Sequence, residues 1–333
     1  MKNQTFVCGT LFHLYISTLK SINYHKSGVK TLLIITDFTP GIKNIANSLI
    51  QKDIFDDLLI VPTIKIKSEL YKKESHLKRI RYRNNLTIKN IEENSNIINF
   101  YPFIENSEIN LFSSKGFSNT FFILKFKKNY IRMIEDGYRN YNPRIGWVKA
   151  FKRKYILRTV IGEGRDKEIK DIQVQYPDKL PKYVKHKGTE LNLKYLQERL
   201  TTEETNTLLS IFLKNNTINI SSEKNLILIT QPLSEDRLIS EKAKIQLYQN
   251  ILDKYLKDYN LYIKTHPREL TDYKAVLDVD FVEIPRDFPL ELLNFFKAIN
   301  FNLGITIFSS ALDNLNCVEN KIFIGEEILK KYK

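Results

Sequence analysis

Short apolar runs alternate with amphipathic stretches through the first part of the chain. The stretches Ile42–Gln51 and Glu69–Tyr82 have helical spacing, and a helix that carries His13 and Lys20 follows the first apolar run. Apolar strands separated by helices are typical of a parallel α/β sheet. The apolar runs predict strands at Thr5–Cys8, Thr31–Thr36, Leu58–Val61, Ile97–Phe100, Asn110–Phe112 and Tyr130–Ile134.

The alternation is interrupted between about residues 137 and 181 by a basic, aromatic, Gly-containing stretch that predicts a loop and a connection between domains. Helices are predicted at Leu191–Leu200 and Glu203–Lys214, and a second α/β series follows. Its strands are Asn225–Thr230, Leu261–Lys264, Phe301–Gly304 and Lys321–Ile324, and its helices are Glu241–Leu256, Leu290–Phe296 and Ser310–Leu315. We therefore predict an α/β protein with Rossmann-like domains at residues 1–160 and 223–333, joined by a helical and irregular connection at 161–222.

The composition is compatible with two domains, and the net charge and cysteine count restrict the partners and the sites that the protein can have. A chain of 333 residues with 42% hydrophobic content can bury two cores. The net charge of +14 implies an anionic partner, which is a nucleic acid, a membrane surface or an anionic small substrate. Two cysteines, Cys8 and Cys317, do not support a disulfide framework or a zinc site and fit a reducing compartment. The sequence has no apolar run of about 18 residues, so we expect a cytoplasmic protein, peripheral to a membrane if it binds one.

The first candidate motif is Glu135-Asp136-Gly137, which ends a predicted strand. Ligands of open α/β sheets bind at the carboxyl ends of the strands. A carboxylate at this position can accept a proton from a substrate hydroxyl, as a general base does. The alternative interpretation is a solvated turn, because Asp-Gly is common in turns.

The second motif is His266-Pro267, between Lys264 and Arg268 at the end of another predicted strand. Proline favours an extended backbone at the preceding histidine, which directs the ring away from the strand. The two cations and the histidine together favour a phosphate, and a histidine can donate a proton to a leaving phosphate near neutral pH. The alternative is a surface histidine beside a turn. Among the other histidines, His13 near the end of the first strand is the one kept as a candidate.

The third motif is Ser309-Ser310, at the predicted junction between a strand that contains Gly304 and a helix. Helix N-termini present unpaired N–H groups and a partial positive charge, which suit a phosphate. We therefore expect Ser309, Ser310 and Gly304 at a phosphate site. The alternative is an ordinary N-cap, a role that serine fills in many helices.

The order and separation of the three motifs resemble the acidic, His-Pro and Ser-Ser motifs of bacterial sialyltransferases. His266 follows Asp136 by 130 residues, and Ser309 follows His266 by 43. Three further segments are similar to glycosyltransferase family 52, which includes lipooligosaccharide and capsule sialyltransferases. These segments run from Phe6 to His13, from Thr230 to Asp236 and from Pro285 to Leu292.

The resemblance implies a GT-B-type fold, two Rossmann-like domains facing a central cleft, and inverting transfer of sialic acid from CMP-sialic acid without a metal or other cofactor. By motif, Asp136 is the general base in an acceptor-side N-terminal domain, with Glu135, Gly137 and Pro267 in supporting positions. His266 contacts or protonates the CMP phosphate in a nucleotide-binding C-terminal domain, and the two serines hold it. Asp236 is a second carboxylate that could share or take the role of base. The family also implies a homodimer and an acceptor that ends in a sugar, with galactose the first choice, on a lipooligosaccharide or capsular glycan.

The sequence also contains basic clusters interleaved with aromatic residues, which have two possible interpretations. They comprise Lys72, Lys73, Lys78, Arg79, Arg81, Arg83, the segment from Lys125 to Lys128, and the segment from Arg144 to Arg158 with Trp147. They are either solvated faces or a surface for anionic membrane, which would suit a lipid-linked acceptor. A nucleic-acid-binding protein is the remote alternative, because no recognition motif accompanies the charge. Among enzymes, the alternative is a GT-B glycosyltransferase with a different nucleotide-sugar donor.

Overall fold

The computed structural model describes residues 2–37, 39, 41–137, 140–143, 145–213, 220, 223–286, 288–296 and 299–332. The chain divides into two compact units, residues 1–207 and 208–333. Each unit is built around a parallel sheet, which confirms the predicted α/β class. Lys214, Arg144 and Asp287, which belong to predicted elements or motifs, lie outside the described residues.

Within the described residues, the sheet of the first unit has seven strands in the order β3-β2-β1-β4-β5-β6-β7, all parallel. Every residue of β2 is buried, because a strand with neighbours on both sides in a sheet covered on both faces has no solvent face. The strands are β1 (Asn3–Cys8), β2 (Thr31–Thr36), β3 (Asp57–Val61), β4 (Ser107–Leu111), β5 (Ile131–Ile134), β6 (Ile169–Val174) and β7 (Gly188–Glu190).

The helices of the first unit vary widely in length. The longest, α1, begins after Thr10, whose hydroxyl accepts a hydrogen bond from the backbone N–H of His13 at 3.2 Å. This is the N-cap that a threonine provides. The helices are α1 (Leu11–His25), α2 (Ile42–Gln51), α3 (Thr63–Lys73), α4 (His76–Arg81), α5 (Arg83–Asn94), α6 (Tyr101–Glu105), α7 (Phe117–Lys125), α8 (Trp147–Phe151) and α9 (Leu193–Glu198). The division between the units at residue 207 falls within the next helix, α10 (Thr202–Leu213).

The second unit contains a smaller parallel sheet. Its strands follow the order β10-β9-β8-β11-β12 among the described residues. Buried Leu, Ile and Tyr side chains from β8, β9, β11 and α11 form its core. The elements are β8 (Asn225–Ile229), α11 (Glu241–Tyr255), β9 (Asn260–Lys264), α12 (Tyr273–Val276), β10 (Val282–Ile284), β11 (Phe301–Thr306) and β12 (Val318–Phe323).

Several predicted elements are wrong or shifted, each for an identifiable reason. The predicted strand Ile97–Phe100 is a 3₁₀ helix, Asn96–Phe100, in which Ile97 is buried and Ile98 is exposed. A short apolar run does not distinguish a strand from a helical turn. The predicted helix Glu69–Tyr82 is divided, because the Ser75 hydroxyl caps a new helix by accepting from the N–H of Lys78 at 3.4 Å.

The two late helices are shorter than predicted. Leu290–Phe295 forms a 3₁₀ helix, and the expected helix Ser310–Leu315 is a single 3₁₀ turn, Ser310–Leu312. The connection predicted at 161–222 also differs, since β6 and β7 lie inside it and extend the first sheet. Polar residues within β6, namely Lys170, Asp171 and Gln173, obscure this strand in the sequence.

A methyl group at Gly304 is expected to destabilise the protein by about 1–3 kcal/mol, the usual result of overpacking a core. In β11, a Cβ atom here would lie 2.5 Å from Leu312 Cδ1 and 2.8 Å from Val318 Cγ1. Denaturant unfolding of Gly304→Ala measures the loss. Gly146→Ala is the control, because no atom lies within 4 Å of its added methyl group. Equal stability of the two variants would contradict the close packing at Gly304.

Candidate functional site

The strand order of the first sheet reverses between β1 and β4. Successive strands run outward from β1 to β3, and the chain then returns to place β4 on the other side of β1. Ligands of open α/β sheets bind beyond the carboxyl ends of the strands at such a switch point. The segments that follow β1, β4 and β5 contain His13, Phe112 and Asp136, respectively. The sequence-predicted residues Asp136 and His13 therefore lie at the edge where a ligand is expected.

The structure brings His13 and Asp136 into direct contact. The His13 ring stacks on Phe112, with ring centroids 4.2 Å apart and planes 10° apart. Phe112 follows β4, which lies between β1 and β5, so the stack carries the imidazole across the middle strand. His13 Nε2 reaches Asp136 Oδ1 at 2.6 Å. The sequence keeps His13 as a secondary candidate, and the fold makes it the partner of the predicted base.

The hydrogen bonds of His13 determine which nitrogen carries the proton. The backbone N–H of Gly9 donates to His13 Nδ1 at 3.1 Å, so Nδ1 must keep its lone pair. The ring is then neutral, with its proton on Nε2, and donates to an ionised Asp136. Within the described residues only Oδ1 of Asp136 has a hydrogen-bond partner, which leaves Oδ2 to accept a proton from a ligand.

Glu135 and Gly137 shape the turn that presents Asp136. The Glu135 carboxylate is buried and accepts hydrogen bonds from the Tyr141 hydroxyl at 2.8 Å and the Gln175 backbone N–H at 2.7 Å. Burial and this nearby carboxylate raise the pKa of Tyr141. Gly137 has φ +98°, a conformation that favours glycine. Of the two adjacent acids, Glu135 anchors the turn and the exposed Asp136 is the one available for chemistry.

The second sheet has its own switch point, between β8 and β11. Gln231 follows β8 and Phe308 follows β11, and the backbone N–H of Phe308 donates to Gln231 Oε1 at 3.0 Å. His266 lies at the end of the neighbouring strand β9, and Ser309 and Ser310 directly follow Phe308. The His-Pro and Ser-Ser motifs thus lie at the carboxyl edge of one sheet.

His266 is oriented by its own backbone and loop. Its N–H donates to Glu269 Oε1 at 2.7 Å, while its Nδ1 accepts from the Arg268 backbone N–H at 3.1 Å. Pro267 separates these two contacts and fixes the local backbone. Nε2 therefore carries the proton of the neutral ring. Burial, together with the positive charges of Arg268 and Lys264, lowers the pKa of His266 to about 4.

Asp236 and Arg268 form an ion pair. Arg268 Nη1 donates to Asp236 Oδ1 at 2.7 Å, and Nη2 donates to Oδ2 at 3.2 Å. A carboxylate that holds a guanidinium through both oxygens is a poorer proton acceptor than one with an unengaged oxygen. This geometry favours Asp136 over Asp236 as a base and gives Asp236 the task of holding Arg268.

Two residues expected at the phosphate site are committed to the interior of the second unit. The amine of Lys264 is buried and donates to the carbonyls of Thr265 and Arg286, both at 3.0 Å. Gly304 lies within β11 and packs against Leu312 and Val318. The contacts of Lys264 and Gly304 with the interior indicate that both residues stabilise the fold of the second unit.

The serine pair retains its position but not the expected helix. Ser309 and Ser310 are both partly exposed, and Ser309 Oγ accepts from the Ala311 N–H at 3.4 Å. A 3₁₀ turn of three residues has a much smaller dipole than a full helix. Anion binding here would therefore depend on hydroxyl and backbone donors.

A buried ionic network beneath the His266 loop is absent from the sequence prediction. Lys244 is fully buried and lies 3.0 Å from Glu235, 3.3 Å from Glu241 and 3.8 Å from Glu269. Glu269 also accepts from the Thr230 hydroxyl at 2.6 Å. The sequence does contain one indication of this network: Lys244 lies on the apolar face of α11, where the other buried residues are Leu247, Tyr248, Ile251 and Leu252. This network supports the loop that carries His266.

The described residues contain neither a cluster of metal ligands nor a membrane-spanning helix. No group of three or more His, Cys, Asp or Glu side chains in these residues is placed to hold a metal ion. No described helix is long and apolar enough to cross a bilayer.

Comparison with known proteins adds a sequence family and a fold. The family model of glycosyltransferase family 52 matches residues 104–326, about two thirds of the chain, a range that includes Asp136, His266 and Ser309. An uncharacterized protein of Haemophilus influenzae is 34% identical over 190 residues, which are 57% of this chain and 60% of that protein.

Solved structures with the same fold include two sialyltransferases of Photobacterium species. An α/β-galactoside α-2,3-sialyltransferase of Photobacterium phosphoreum has a TM-score of 0.52 at 16% identity, covering 96% of this chain and 89% of its own. The GT-B domain of a sialyltransferase of Photobacterium damselae has a TM-score of 0.50 at 14% identity, with the same two coverages. At these identities the matches establish a GT-B-type fold, which confirms the predicted fold class.

Proposed function

Because the chain belongs to glycosyltransferase family 52, we propose that this glycosyltransferase moves sialic acid from CMP-sialic acid to a terminal sugar of a surface glycan. The observation that carries the proposal is the 2.6 Å pair of neutral His13 and Asp136 at the ligand-binding edge of the first sheet. The motif set supports the choice of donor. The proposed acceptor ends in galactose and belongs to a lipooligosaccharide or capsular glycan.

The first unit activates the acceptor in this proposal. Asp136 takes the proton of the acceptor hydroxyl, whose oxygen forms a bond to the anomeric carbon of sialic acid. The bond from that carbon to the phosphate oxygen breaks, and its electron pair leaves with CMP. A single displacement of this kind inverts the anomeric configuration. His13 holds Asp136 in place throughout, because its Nε2–H already donates to the carboxylate.

The second unit stabilises the leaving CMP. His266 Nε2–H, Arg268 and the hydroxyls of Ser309 and Ser310 are the donors that we assign to the phosphate, and they stabilise its negative charge without a metal. With its pKa at about 4, His266 is neutral near pH 7 and first acts as a hydrogen-bond donor. A bound phosphate would raise the pKa of His266, because an adjacent negative charge favours the imidazolium. Proton donation from that form requires the Arg268 N–H to turn away from Nδ1, whereas the neutral ring donates a hydrogen bond from Nε2 with the present contacts kept.

A thermal-shift comparison of CMP, UDP and GDP tests the choice of nucleotide. CMP is expected to raise the Tm most, since a ligand that binds the native state stabilises it. His266→Ala should reduce the CMP shift, and the wild type should slowly hydrolyse CMP-sialic acid. A shift with UDP or GDP alone would indicate a different nucleotide-sugar donor. A protein that neither binds CMP nor hydrolyses CMP-sialic acid would refute the proposal.

Removal of the His13 ring is expected to misplace Asp136. We expect His13→Ala to lower kcat for transfer about 10- to 100-fold, because small displacements of a catalytic group have effects of this size. His13→Gln should lose less, since its side-chain amide N–H can still donate to Asp136. Steady-state kinetics give kcat, and the Tm shift with CMP shows whether donor binding is preserved. Identical kinetics for Ala and Gln would argue against a role for the donated hydrogen bond.

The remaining partners follow from the same proposal. The enzyme would act in the cytoplasm, where its donor is available, on an acceptor that is linked to lipid. We also propose peripheral contact with an anionic membrane and assembly as a homodimer, as the resemblance to family 52 implies.

A further inference from the structure

One segment of the first unit exposes several large apolar side chains. It consists of α8 and the π-helical turn Lys152–Ile156 that continues it. Trp147 is 79% exposed, Phe151 54% and Tyr155 57%, and a spacing of four residues places them on one side. Val148 and Ile156 are exposed as well. Large exposed apolar side chains grouped in one short segment are a feature of interaction sites.

The same segment is strongly basic. Residues 145–158 contain Lys149, Lys152, Arg153, Lys154 and Arg158 and no Asp or Glu. Arg153 Nη1 donates to the carbonyl of Ile161 at 2.8 Å, so this side chain holds the segment against the unit. The three lysines are exposed, which surrounds the apolar side chains with positive charge.

A cavity of about 340 Å³ adjoins this segment. Leu157, the next residue in the chain, lines the cavity, and the Asn84 side-chain amide donates to the carbonyl of Arg158 at 2.7 Å. The wall combines basic side chains, Lys67, Arg79 and Arg83, with apolar ones that include Ile80 and Phe117. This mixture suits a ligand with an anionic group next to hydrocarbon.

Within the described part of the chain, no salt bridge joins Lys67, Arg79 or Arg83 of the cavity wall to an acidic side chain. The Arg79 guanidinium lies 4.3 Å from the centroid of the Tyr71 ring, and its buried Nε has no hydrogen-bond partner among the described residues. Burial lowers the pKa of Arg153, and the positive charge of Arg83 lowers it further. A bound anion would relieve this repulsion.

Charge and chemistry favour one occupant over the others. A second copy of the chain would bring an equally basic surface into contact with this one, which is unfavourable. Nucleic acid would match the charge but gain little from exposed aliphatic side chains such as Leu77, Val148 and Ile156. Anionic bilayers satisfy both features, since basic residues are attracted to lipid phosphates and aromatic side chains partition into the interface.

We propose that the cavity binds the phosphate-bearing head group of an anionic lipid while residues 147–156 lie in the membrane interface. The site is independent of the proposed donor, because it can be tested without any nucleotide sugar.

The single tryptophan makes the test direct, since Trp147 is the only tryptophan of the chain and lies within the surface. Vesicles of phosphatidylcholine with a quarter phosphatidylglycerol are expected to shift its emission to shorter wavelength, whereas pure phosphatidylcholine and inorganic phosphate are not. Brominated phosphatidylglycerol vesicles should quench it. An effect of inorganic phosphate as large as that of vesicles would show that the cavity is a simple anion site and overturn the lipid assignment.

Vesicle sedimentation of the full chain separates the two parts of the site. Arg79→Gln/Arg83→Gln should weaken binding about 30-fold, since each basic residue near anionic lipid contributes about fivefold. Trp147→Ser/Phe151→Ser removes apolar anchors and should also reduce binding strongly, with all charges kept. The control Lys242→Gln/Lys274→Gln removes two exposed lysines of the second unit and should have little effect.

Three results would overturn the proposal. The first is that Arg79→Gln/Arg83→Gln and Trp147→Ser/Phe151→Ser, both folded by circular dichroism, bind vesicles as tightly as the wild type does. Another is unchanged Trp147 emission when the protein sediments with vesicles, which would place another face on the membrane. The third is binding to duplex DNA that is tighter than vesicle binding and is reduced by the same substitutions.

Discussion

Asp136→Asn is expected to lower kcat for sialyl transfer about 10²- to 10⁴-fold, the contribution of a general base. Asn keeps an oxygen that can accept from His13 Nε2, so the geometry of the site should survive while proton transfer is lost. Affinity for CMP should remain close to that of the wild type, because the donors assigned to phosphate lie in the second unit. Steady-state kinetics and the CMP thermal shift measure the two quantities separately.

Two comparisons make this result specific. Asp178→Asn changes a carboxylate whose side chain is 98% exposed and should leave kcat unchanged. Asp236→Asn should weaken CMP binding more than it lowers kcat, because it releases Arg268. If Asp136→Asn kept full activity and Asp236→Asn lost it, Asp236 would be the base and our assignment would be wrong.

Lys244→Met is expected to destabilise the protein by about 3–5 kcal/mol at neutral pH. The substitution leaves the buried carboxylate of Glu269 without its cation, and an uncompensated buried charge has a cost of this size. Denaturant unfolding of the full chain measures the change. Lys242→Met is the matched control, because Lys242 is an exposed lysine of the same helix and should shift stability by less than about 0.5 kcal/mol.

The pH dependence of this variant provides a second test. Burial raises the pKa of Glu269 above its usual value, and removal of Lys244 should raise it further. A folded state with a raised carboxyl pKa binds more protons than the unfolded state, so stability falls as pH increases through that range. The loss in Lys244→Met should therefore be smaller at pH 5 than at pH 8. A loss that is independent of pH would point to packing of the lysine stem instead of its charge.

The sequence predicted where the site residues lie in the fold better than it predicted which side chains contact each other. Asp136, His266 and Ser309 each follow a strand in the sequence, and the fold places each at the carboxyl edge of its sheet. Strand ends are visible in a sequence because apolar runs stop there. A contact between segments far apart in the chain leaves no local pattern in the sequence. The pairing of His13 with Asp136 is such a contact, and only the structure shows it.

Lys264 and Gly304 were predicted at the phosphate site from residue type and segment, and the structure shows other contacts for both. Lys264 has the charge of a phosphate ligand, but its amine is used by two backbone carbonyls. Gly304 lies in the right segment, but a close approach of Leu312 explains the glycine. Buried polar groups must find partners, and which partner is nearest depends on tertiary packing.

By itself, the sequence determined the α/β class, the edges of the sheets at which the motifs lie and the family to which the chain belongs. These features depend on local periodicity and on motifs of residues close together in the chain, so they can be recognised in the sequence without the structure. Only the tertiary structure decided that Phe112 carries His13 to Asp136, that Asp236 is held by Arg268, and that Lys244 is buried among acids. Each of these contacts joins segments that are brought together by packing, so their geometry is a property of the whole fold.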